Sequence, residues 1–453
     1  MRSFVAVAAT VMLLLLCSSV ALAGWSAPRV LSLSHYSPYA HTDVAVDARG
    51  DAAVAWERVG SRPVESHGRR CSPAPTRASC FPVSSVYLSV LTTDGRLVTR
   101  ALWSSRINPT IDLSVVVSGG SVTLAWDYSN ASSTLHTLRV AYGPLIGRWA
   151  PSRAIWSFSG LGPFAGDPHL AAAPNGEVLV AWTVCTSRDC GYNESRYGVA
   201  VRWRAPGRGF GAPQLLRDAP LYAVPQFDSR GTAYLHSYCS GRVLIAPAHS
   251  QRFSRTVMLT PGPALAMNLS LDGAGQGLAA WVAGACSNDE AESNTPGPVF
   301  VSLLRGGTFA KPQALTPHST QAISGSAVAV PGGGTVSWYV VAANGAPEPF
   351  SFQIGANGLP GATQQGANAV IAVTADGRGD VVLEGGRAAN TYGPGAPGPG
   401  PLANTLFLRP VGGGPDQPAP SPSGEAAAAP FGRAVALTWY NGPTTLELSV
   451  WRP

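Results

Sequence analysis

One short pattern, "DARGDAAVAWERV" at residues 47–59, returns along the chain in seven near-copies. Each copy has a turn that contains glycine between two runs of small apolar residues, and most copies end near a tryptophan. The further copies span 116–128, 172–184, 227–239, 271–283, 328–340, 374–386 and 428–440. From Gly50 to Gly432 they recur about every 55 residues on average. Such a period predicts propeller blades or another tandem array.

The first repeat shows how many strands a unit contains. One apolar strand precedes the turn and a second follows it, with glycine between them because a tight hairpin needs positive φ. A third strand, "SVYLSVL" (84–90), and a fourth, "LVTRALW" (97–103), then flank a "TDG" turn. Four antiparallel strands per repeat is the composition of a propeller blade.

We therefore predict an all-β fold, a β-propeller of eight four-stranded antiparallel blades. Seven blades is the alternative if the unit at 374–386, which lacks a tryptophan, is irregular. Two smaller β-sandwich domains are a further alternative, which the even spacing of the repeats disfavours.

The fourth strand often carries an aromatic residue followed by proline, as in "GFGAPQLL" (209–216) and "TFAKPQALT" (308–316). Proline is tolerated on an outermost strand, where its missing N–H has no partner. The last repeat ends at its third strand, "TTLELSVWRP", whereas "GWSAPRVLS" (24–32) has the fourth-strand pattern. We predict that this N-terminal strand joins the C-terminal blade and closes the ring, which removes two open sheet edges.

The first 23 residues have the features of a cleaved signal peptide: Arg2, an apolar run over 4–16, and small residues at the end. We expect the mature chain to start near Gly24 and residues 24–453 to form a single propeller domain. No second apolar stretch reaches the roughly 18 residues that a membrane span needs. The product is expected to be secreted, soluble and monomeric.

Six cysteines remain after cleavage, and an even number in an oxidising compartment favours disulfides. The expected pairs are Cys71 with Cys80, Cys185 with Cys190, and Cys239 with Cys286. No Cys/His spacing resembles a zinc site, so neither a metal nor a cofactor is expected. The formal net charge of +6 rests on scattered arginines, with Lys311 the only lysine, and a nucleic-acid partner is therefore not expected.

The second loop of each repeat and the connection to the next repeat share one face of a propeller. This loop is long in alternate repeats, at 57–83, 185–196, 284–298 and 386–403. Because function most often lies on the loops of a rigid scaffold, we expect any binding site on this face.

Seven residues before each turn glycine lies a position near the start of the first strand, close to the axial opening. Four of these positions are polar, and two further ionisable residues are nearby. The candidate binding residues are Asp43, His169, Asn268 and Glu425, with His41 and Asp167. They are expected to cluster at the channel mouth, where they bond to water and backbone, bind a ligand, or act as acid and base. No residue is assigned a catalytic role.

The repeated turn, strand and tryptophan behind a signal peptide resemble the secreted bacterial sialidase-like, or BNR-repeat, propellers over nearly the whole mature chain. The resemblance is one of architecture. The family's Asp box reads S-x-D-x-G-x-T/S-W, and "SLDGAG" (270–275) and "TTDG" (92–95) place the glycine differently. The F/Y-R-I-P motif is also absent. The family's arginine triad and Tyr/Glu pair therefore transfer to no position of this chain.

Two functions remain. The first is a secreted, non-catalytic propeller that binds an extracellular glycan or protein through its long-loop face. The alternative is a carbohydrate-active enzyme, a sialidase-like hydrolase or a lyase, with its site at the channel mouth. An enzyme of this kind needs two titratable groups within roughly 5 to 10 Å of each other in a pocket.

Overall fold

The computed structural model describes most of the chain between Gly24 and Arg452. The described residues are 24–32, 41–59, 64–65, 80–81, 84–105, 110–129, 134–162, 165–187, 190–191, 196–216, 222–237, 240–260, 262, 264–272, 275–284, 297–330, 333–341, 347–355, 360–365, 369–373, 381–385, 405–409, 417–418, 425–429, 432, 434–441 and 445–452. They form β-strands and turns without an α-helix, which confirms the all-β prediction. None of these residues belongs to a long apolar helix of the kind that crosses a membrane.

The strands of the first half of the chain form four-stranded antiparallel sheets in chain order. Two short strands come first, β1 (Gly24–Trp25) and β2 (Arg29–Ser32). The next six are β3 (Thr42–Val46), β4 (Ala52–Val59), β5 (Val64–Glu65), β6 (Cys80–Phe81), β7 (Ser84–Leu91) and β8 (Leu97–Ser105); β5 pairs with β6 and the other four form sheet 1. Sheet 2 contains β9 (Thr110–Ser118), β10 (Ser121–Ser129), β11 (Leu135–Pro144) and β12 (Arg153–Ser159). Sheet 3 contains β13 (Gly166–Ala172), β14 (Val178–Cys185), β15 (Tyr197–Arg204) and β16 (Gln214–Leu216), and sheet 4 contains β17 (Ala223–Phe227), β18 (Ala233–Ser237), β19 (Ser240–Ala246) and β20 (Arg255–Met258).

The second half continues the series. Sheet 5 contains β21 (Ala264–Leu271), β22 (Gly277–Ala283), β23 (Val299–Arg305), β24 (Thr308–Phe309) and β25 (Gln313–Ala314). Sheet 6 contains β26 (Ala322–Val330), β27 (Gly333–Val341), β28 (Pro347–Ile354) and β29 (Pro360–Gln365). Sheet 7 contains β30 (Ala369–Val373), β31 (Val381–Gly385), β32 (Thr405–Arg409) and β33 (Gln417–Pro418). Sheet 8 contains β34 (Glu425–Ala428), β35 (Val435–Asn441) and β36 (Thr445–Arg452), together with β1 and β2.

In sheets 1 and 4 an aspartate holds the turn of the repeat together. In sheet 1 the Asp47 carboxylate accepts hydrogen bonds from the backbone N–H groups of Arg49 and Asp51, at 2.9 and 3.1 Å. Gly50 has φ of 86°, a left-handed conformation that favours glycine. Asp228 accepts the equivalent bonds in sheet 4. In these two sheets the turn is therefore a hairpin capped by its own aspartate side chain, which the local sequence specifies.

The repeated tryptophan packs between neighbouring sheets. Trp126 of sheet 2 is fully buried in a cluster with Val86 and Leu88 of sheet 1. Trp182 of sheet 3 packs in the same way against Leu138 of sheet 2. The tryptophans at the same position of sheets 1, 5 and 6 are Trp56, Trp281 and Trp338. In sheets 1, 2, 3, 5 and 6 the repeated tryptophan is therefore buried against a neighbouring sheet.

The two N-terminal strands pair with the last strand of the chain. Trp25 lies opposite Trp451 across β1 and β36, and Val30 lies opposite Glu447 across β2 and β36. The aromatic-to-proline segment divides this outer strand into two pieces, as it does in sheet 5, where β24 and β25 both pair with β23. The backbone N–H of Val450 donates a hydrogen bond to Ser26 Oγ at 3.0 Å, and the Ser26 N–H donates to the Val450 carbonyl at 2.9 Å.

The first strand of each sheet is its innermost strand, which is the arrangement of a β-propeller. Close contacts join β3 with β9, β9 with β13, β13 with β17, β21 with β26, β26 with β30, β30 with β34, and β34 with β3. Sheet 5 meets sheet 4 through contacts of β21 with β18 and β19. The starts of the first strands therefore lie together at one end of the axis, and the repeated turns lie at the other.

Candidate functional site

Four of the six predicted site residues lie at the start of two first strands. His41 immediately precedes β3 and Asp43 lies within it, while Asp167 and His169 lie in β13. Asp167 Oδ2 and His169 Nε2 are 3.3 Å apart, and these side chains keep 35% and 33% of their surface exposed. The predicted mouth therefore contains an ion pair that solvent can reach.

Sheet 2 contributes to this site a residue that the sequence analysis did not select. Asp112 lies in β9, and its Oδ1 is 3.8 Å from Nδ1 of His41, with these side chains 37% and 44% exposed. We call the five residues His41, Asp43, Asp112, Asp167 and His169 the mouth cluster. It joins sheets 1, 2 and 3.

Asp43 is the most firmly held member of the mouth cluster. One carboxylate oxygen accepts a hydrogen bond from the N–H of Val44 at 2.9 Å, and the other accepts one from Val115 of sheet 2 at 2.6 Å. Burial raises the pKa of Asp43 to about 6, although these N–H groups and His169 act in the opposite direction. The residue ties the first two sheets together as well as carrying charge at the mouth.

A buried pair in sheet 2, Asp127 and His136, lies next to the mouth cluster. Asp127 in β10 lies opposite Asp112 in register, and its Oδ2 is 3.5 Å from Nδ1 of His136 in β11. A Cβ placed on Gly166 would come within 2.0 Å of the Asp127 carboxylate, so only glycine permits this approach. Gly166 also has φ of 109°, in the left-handed region. The close approach places the Asp127 carboxylate against the start of β13.

The pKa values of the mouth cluster shift in different directions because its members lie near different charges. Burial raises the pKa of Asp112 to about 7, and the charges of Asp167 and Asp127 act in the same direction. Burial also acts to raise the pKa of Asp167, but His169 and His41 outweigh it and the pKa is lowered. Burial acts to lower the pKa of His169, but Asp167, Asp43 and Asp112 outweigh it and the pKa is raised. A carboxyl that titrates near neutrality thus lies beside a charged pair, an arrangement suited to acid–base work.

Two further ionisable groups are buried near this end of the fold. His236 lies in β18 of sheet 4, one residue before the position that tryptophan occupies in sheet 1, and burial, with a contribution from His169, lowers its pKa to about 4. Glu57 follows Trp56 in β4, and burial raises its pKa to about 7. Within the described residues, Glu57 Oε1 and His236 Nδ1 have no hydrogen-bond partner. Near pH 7 we therefore expect His236 to be neutral and Glu57 to be about half ionised.

The other two predicted residues are not shown in the mouth cluster. Asn268 Oδ1 accepts a hydrogen bond from the N–H of Ala327 at 3.3 Å, which links sheet 5 to sheet 6 as Asp43 links sheet 1 to sheet 2. Glu425 begins β34 opposite Thr438, and its side chain lies outside the described residues. Most of the long second loops also lie outside them.

A signal for the missed aspartates is present in the sequence. Asp112 directly precedes Leu113, the position that lies seven residues before its turn glycine. Asp127 directly follows the repeated Trp126, as Glu57 follows Trp56. A search of one position of the first strand misses these neighbours, which lie at the same end of the sheet.

One of the three predicted disulfides can be compared with the structure. The predicted disulfide between Cys185 and Cys190 is confirmed, with a Cα–Cα distance of 5.8 Å. The pairs Cys71 with Cys80 and Cys239 with Cys286 involve side chains outside the described residues. In the described part of the chain, no three His, Cys, Asp or Glu side chains are placed to hold a metal ion.

Comparisons with known proteins yield structural similarity without sequence relatives. No protein-family model matches the chain, and the search of curated proteins found no match. The chain is similar to the α-L-arabinanase of Penicillium chrysogenum complexed with arabinobiose, at 12% identity over 94% of this chain and 98% of that one, with a TM-score of 0.38. It is also similar to the β-propeller domain of the Trilobed protease from Pyrococcus furiosus, at 10% identity over 84% and 97% of the two chains, with a TM-score of 0.38. A third similar structure is the Aleuria aurantia lectin in complex with Fucalpha1-6GlcNAc, at 7% identity over 73% and 97%, with a TM-score of 0.32.

Proposed function

We propose that residues 24–453 form one exported propeller domain whose eight sheets are the blades of a ring closed by the N-terminal strand. Support comes from the pairing of β1 and β2 with β36 and from the contacts of β34 with β3. Export rests on the sequence pattern of residues 1–23, which lie outside the described residues.

We further propose that the mouth cluster binds an uncharged glycan, or another neutral ligand rich in hydroxyl groups. One observation carries this proposal: four ionisable side chains from three sheets form two close His–Asp pairs at one mouth while each keeps a third to under a half of its surface exposed. Carboxylates and imidazoles so placed can accept and donate hydrogen bonds to hydroxyl groups.

The charge of the mouth cluster argues against an acidic ligand. Near pH 7 the Asp167 carboxylate is ionised and His169 has a raised pKa, so their charges oppose each other. Asp43, with a pKa of about 6, adds negative charge, and the described residues of the cluster include no arginine. An anionic sugar of the kind that a sialidase-like site would hold is therefore disfavoured relative to a neutral one.

A glycan array with the chain that starts at Gly24 tests the proposal, followed by titration of the best ligand. Changing Asp167→Asn together with His169→Gln is expected to weaken binding about 10- to 100-fold, because charge-assisted hydrogen bonds contribute roughly 1.5–3 kcal/mol. Asp94→Asn, which changes an exposed carboxylate in the turn between β7 and β8, is the matched control and should leave the affinity unchanged. Binding confined to acidic glycans, or unaffected by the double change, would refute the assignment.

A second candidate function, hydrolysis of a neutral glycoside, is favoured by Asp112. Its pKa of about 7 lets it serve as an acid, and the ionised Asp167, whose charge acts on Asp112, is the candidate base. The same titration samples, assayed with a panel of chromogenic glycosides, separate the two functions. Turnover that Asp112→Asn abolishes while binding persists supports hydrolysis; binding without turnover supports the non-catalytic function.

A further inference from the structure

The other end of the axial channel holds an apolar cavity of about 550 Å³. Its wall comes from the first strands of sheets 1 to 5 and 8 and from the repeated turns, where it opens. The apolar lining includes Val44, Val46, Val116, Leu170, Phe227 and Leu271. Small-molecule sites commonly have volumes of roughly 300–1,000 Å³ and mostly apolar walls.

The polar side chains in this wall are already bonded within the protein. The Gln226 amide donates to the carbonyl of Leu269 at 2.5 Å, and the Ser118 hydroxyl donates to the carbonyl of Ala173 at 3.2 Å. Arg49 at the rim lies 3.5 Å from the Asp47 carboxylate and 3.6 Å from that of Asp51. A molecule in the cavity would therefore meet no uncompensated charge, and the wall favours an uncharged apolar group.

The cavity begins where the mouth cluster ends. Val44 follows Asp43 in β3, and Leu170 follows His169 in β13, and both line the cavity. Successive residues of a strand are about 3.3 Å apart. The channel therefore passes within one residue from an ionisable layer to an apolar wall.

We propose that the channel binds a neutral amphiphile, with a hydroxylated head at the mouth cluster and a hydrocarbon tail in the apolar cavity. The position of the head rests on the proposed function, whereas the tail site rests on the cavity itself. The ligand class thereby narrows from neutral glycans in general to those that carry an apolar chain.

Straight-chain alcohols from butanol to decanol test the tail site without requiring the right sugar. Titration calorimetry on the chain that starts at Gly24 should show the dissociation constant falling about fourfold for each added methylene until the cavity is full. Ala45→Phe, which places a ring in the cavity wall, should remove this gain. Ala101→Phe on the exposed outer strand of sheet 1 is the matched control and should retain it.

Each outcome bears on a separate part of the proposal. An affinity that does not change with chain length, or a folded Ala45→Phe protein that keeps the full gain, would overturn the tail site. If Ala45→Phe does not fold, Ala171→Leu in the wall contributed by sheet 3 provides the same test. The Asp167→Asn and His169→Gln double variant should keep the chain-length gain while losing glycan binding, so failure of the tail site and failure of the head site are distinguishable.

Discussion

Removing residues 24–32 is expected to lower the free energy of unfolding by about 5 kcal/mol or more. Leu31 is only 7% exposed and packs in a cluster that contains residues of both sheet 1 and sheet 8. Burying a leucine contributes roughly 1.5–3 kcal/mol. The deletion also breaks the hydrogen bonds of Ser26 with Ser449 and Val450 and the backbone bonds that β1 and β2 make to β36. Each hydrogen bond contributes about 1 kcal/mol.

Urea denaturation of the chains that start at residues 24 and 33 measures this effect. A synthetic peptide of residues 24–32, added to the shorter chain, should restore part of the lost stability because it can occupy the vacant edge of β36. Ser26→Ala is the control for the side-chain bonds alone and should cost about 1 kcal/mol. Equal stability of the long and short chains would show that the N-terminal strands do not support the fold.

Trp126→Ala is expected to lower the free energy of unfolding by about 3–5 kcal/mol, because removal of a buried tryptophan leaves a cavity between two sheets. Trp126 is fully buried, and its ring centroid lies 6.4 Å from that of Trp103 in sheet 1. The substitution therefore weakens the contact between sheets 1 and 2 as well as the interior of sheet 2.

Trp149→Ala provides the comparison for this substitution. Trp149 is half-buried outside the strands; its Nε1 donates to the carbonyl of Pro144 at 2.8 Å, and Arg100 lies over its ring at 5.1 Å. Its removal should cost only about 1 kcal/mol. Chemical denaturation of both variants gives the two losses of unfolding free energy, provided that the dependence of this energy on denaturant concentration is the same in both. Similar losses would contradict a special role for the repeated tryptophan.

The local features of the fold could be predicted from the sequence because local residues produce them. Asp47 and Gly50 specify the hairpin turn of sheet 1 within five residues, and the recurring turn glycine identifies the first two strands of the other copies. The aromatic-to-proline pattern at 24–32 identified an outer strand even though its partner, β36, lies at the other end of the chain.

The candidate site could be predicted only in part, because it depends on how different sheets approach each other. Position along the first strand identified Asp43 and His169, but the addition of Asp112 depends on its distance from His41 of another sheet. The position of Asp127 depends on its contact with Gly166 of sheet 3. The spacing of residues along the sequence also could not predict the inter-sheet hydrogen bond of Asn268, because its partner is a backbone N–H of the next sheet.

The central claim is that the two ends of the chain seal one ring of blades. Val30→Cys combined with Glu447→Cys tests it most directly, because these residues lie opposite each other across β2 and β36. Opposed residues of antiparallel strands have Cβ atoms about 4.5–5.5 Å apart, so a small adjustment permits a disulfide. Val30→Cys combined with Met258→Cys, on the 51% exposed residue of β20, is the control. Under mild oxidation we predict that peptide mapping finds the introduced cysteines joined in the first protein and separate in the second; their failure to join in the first protein would contradict the closed ring.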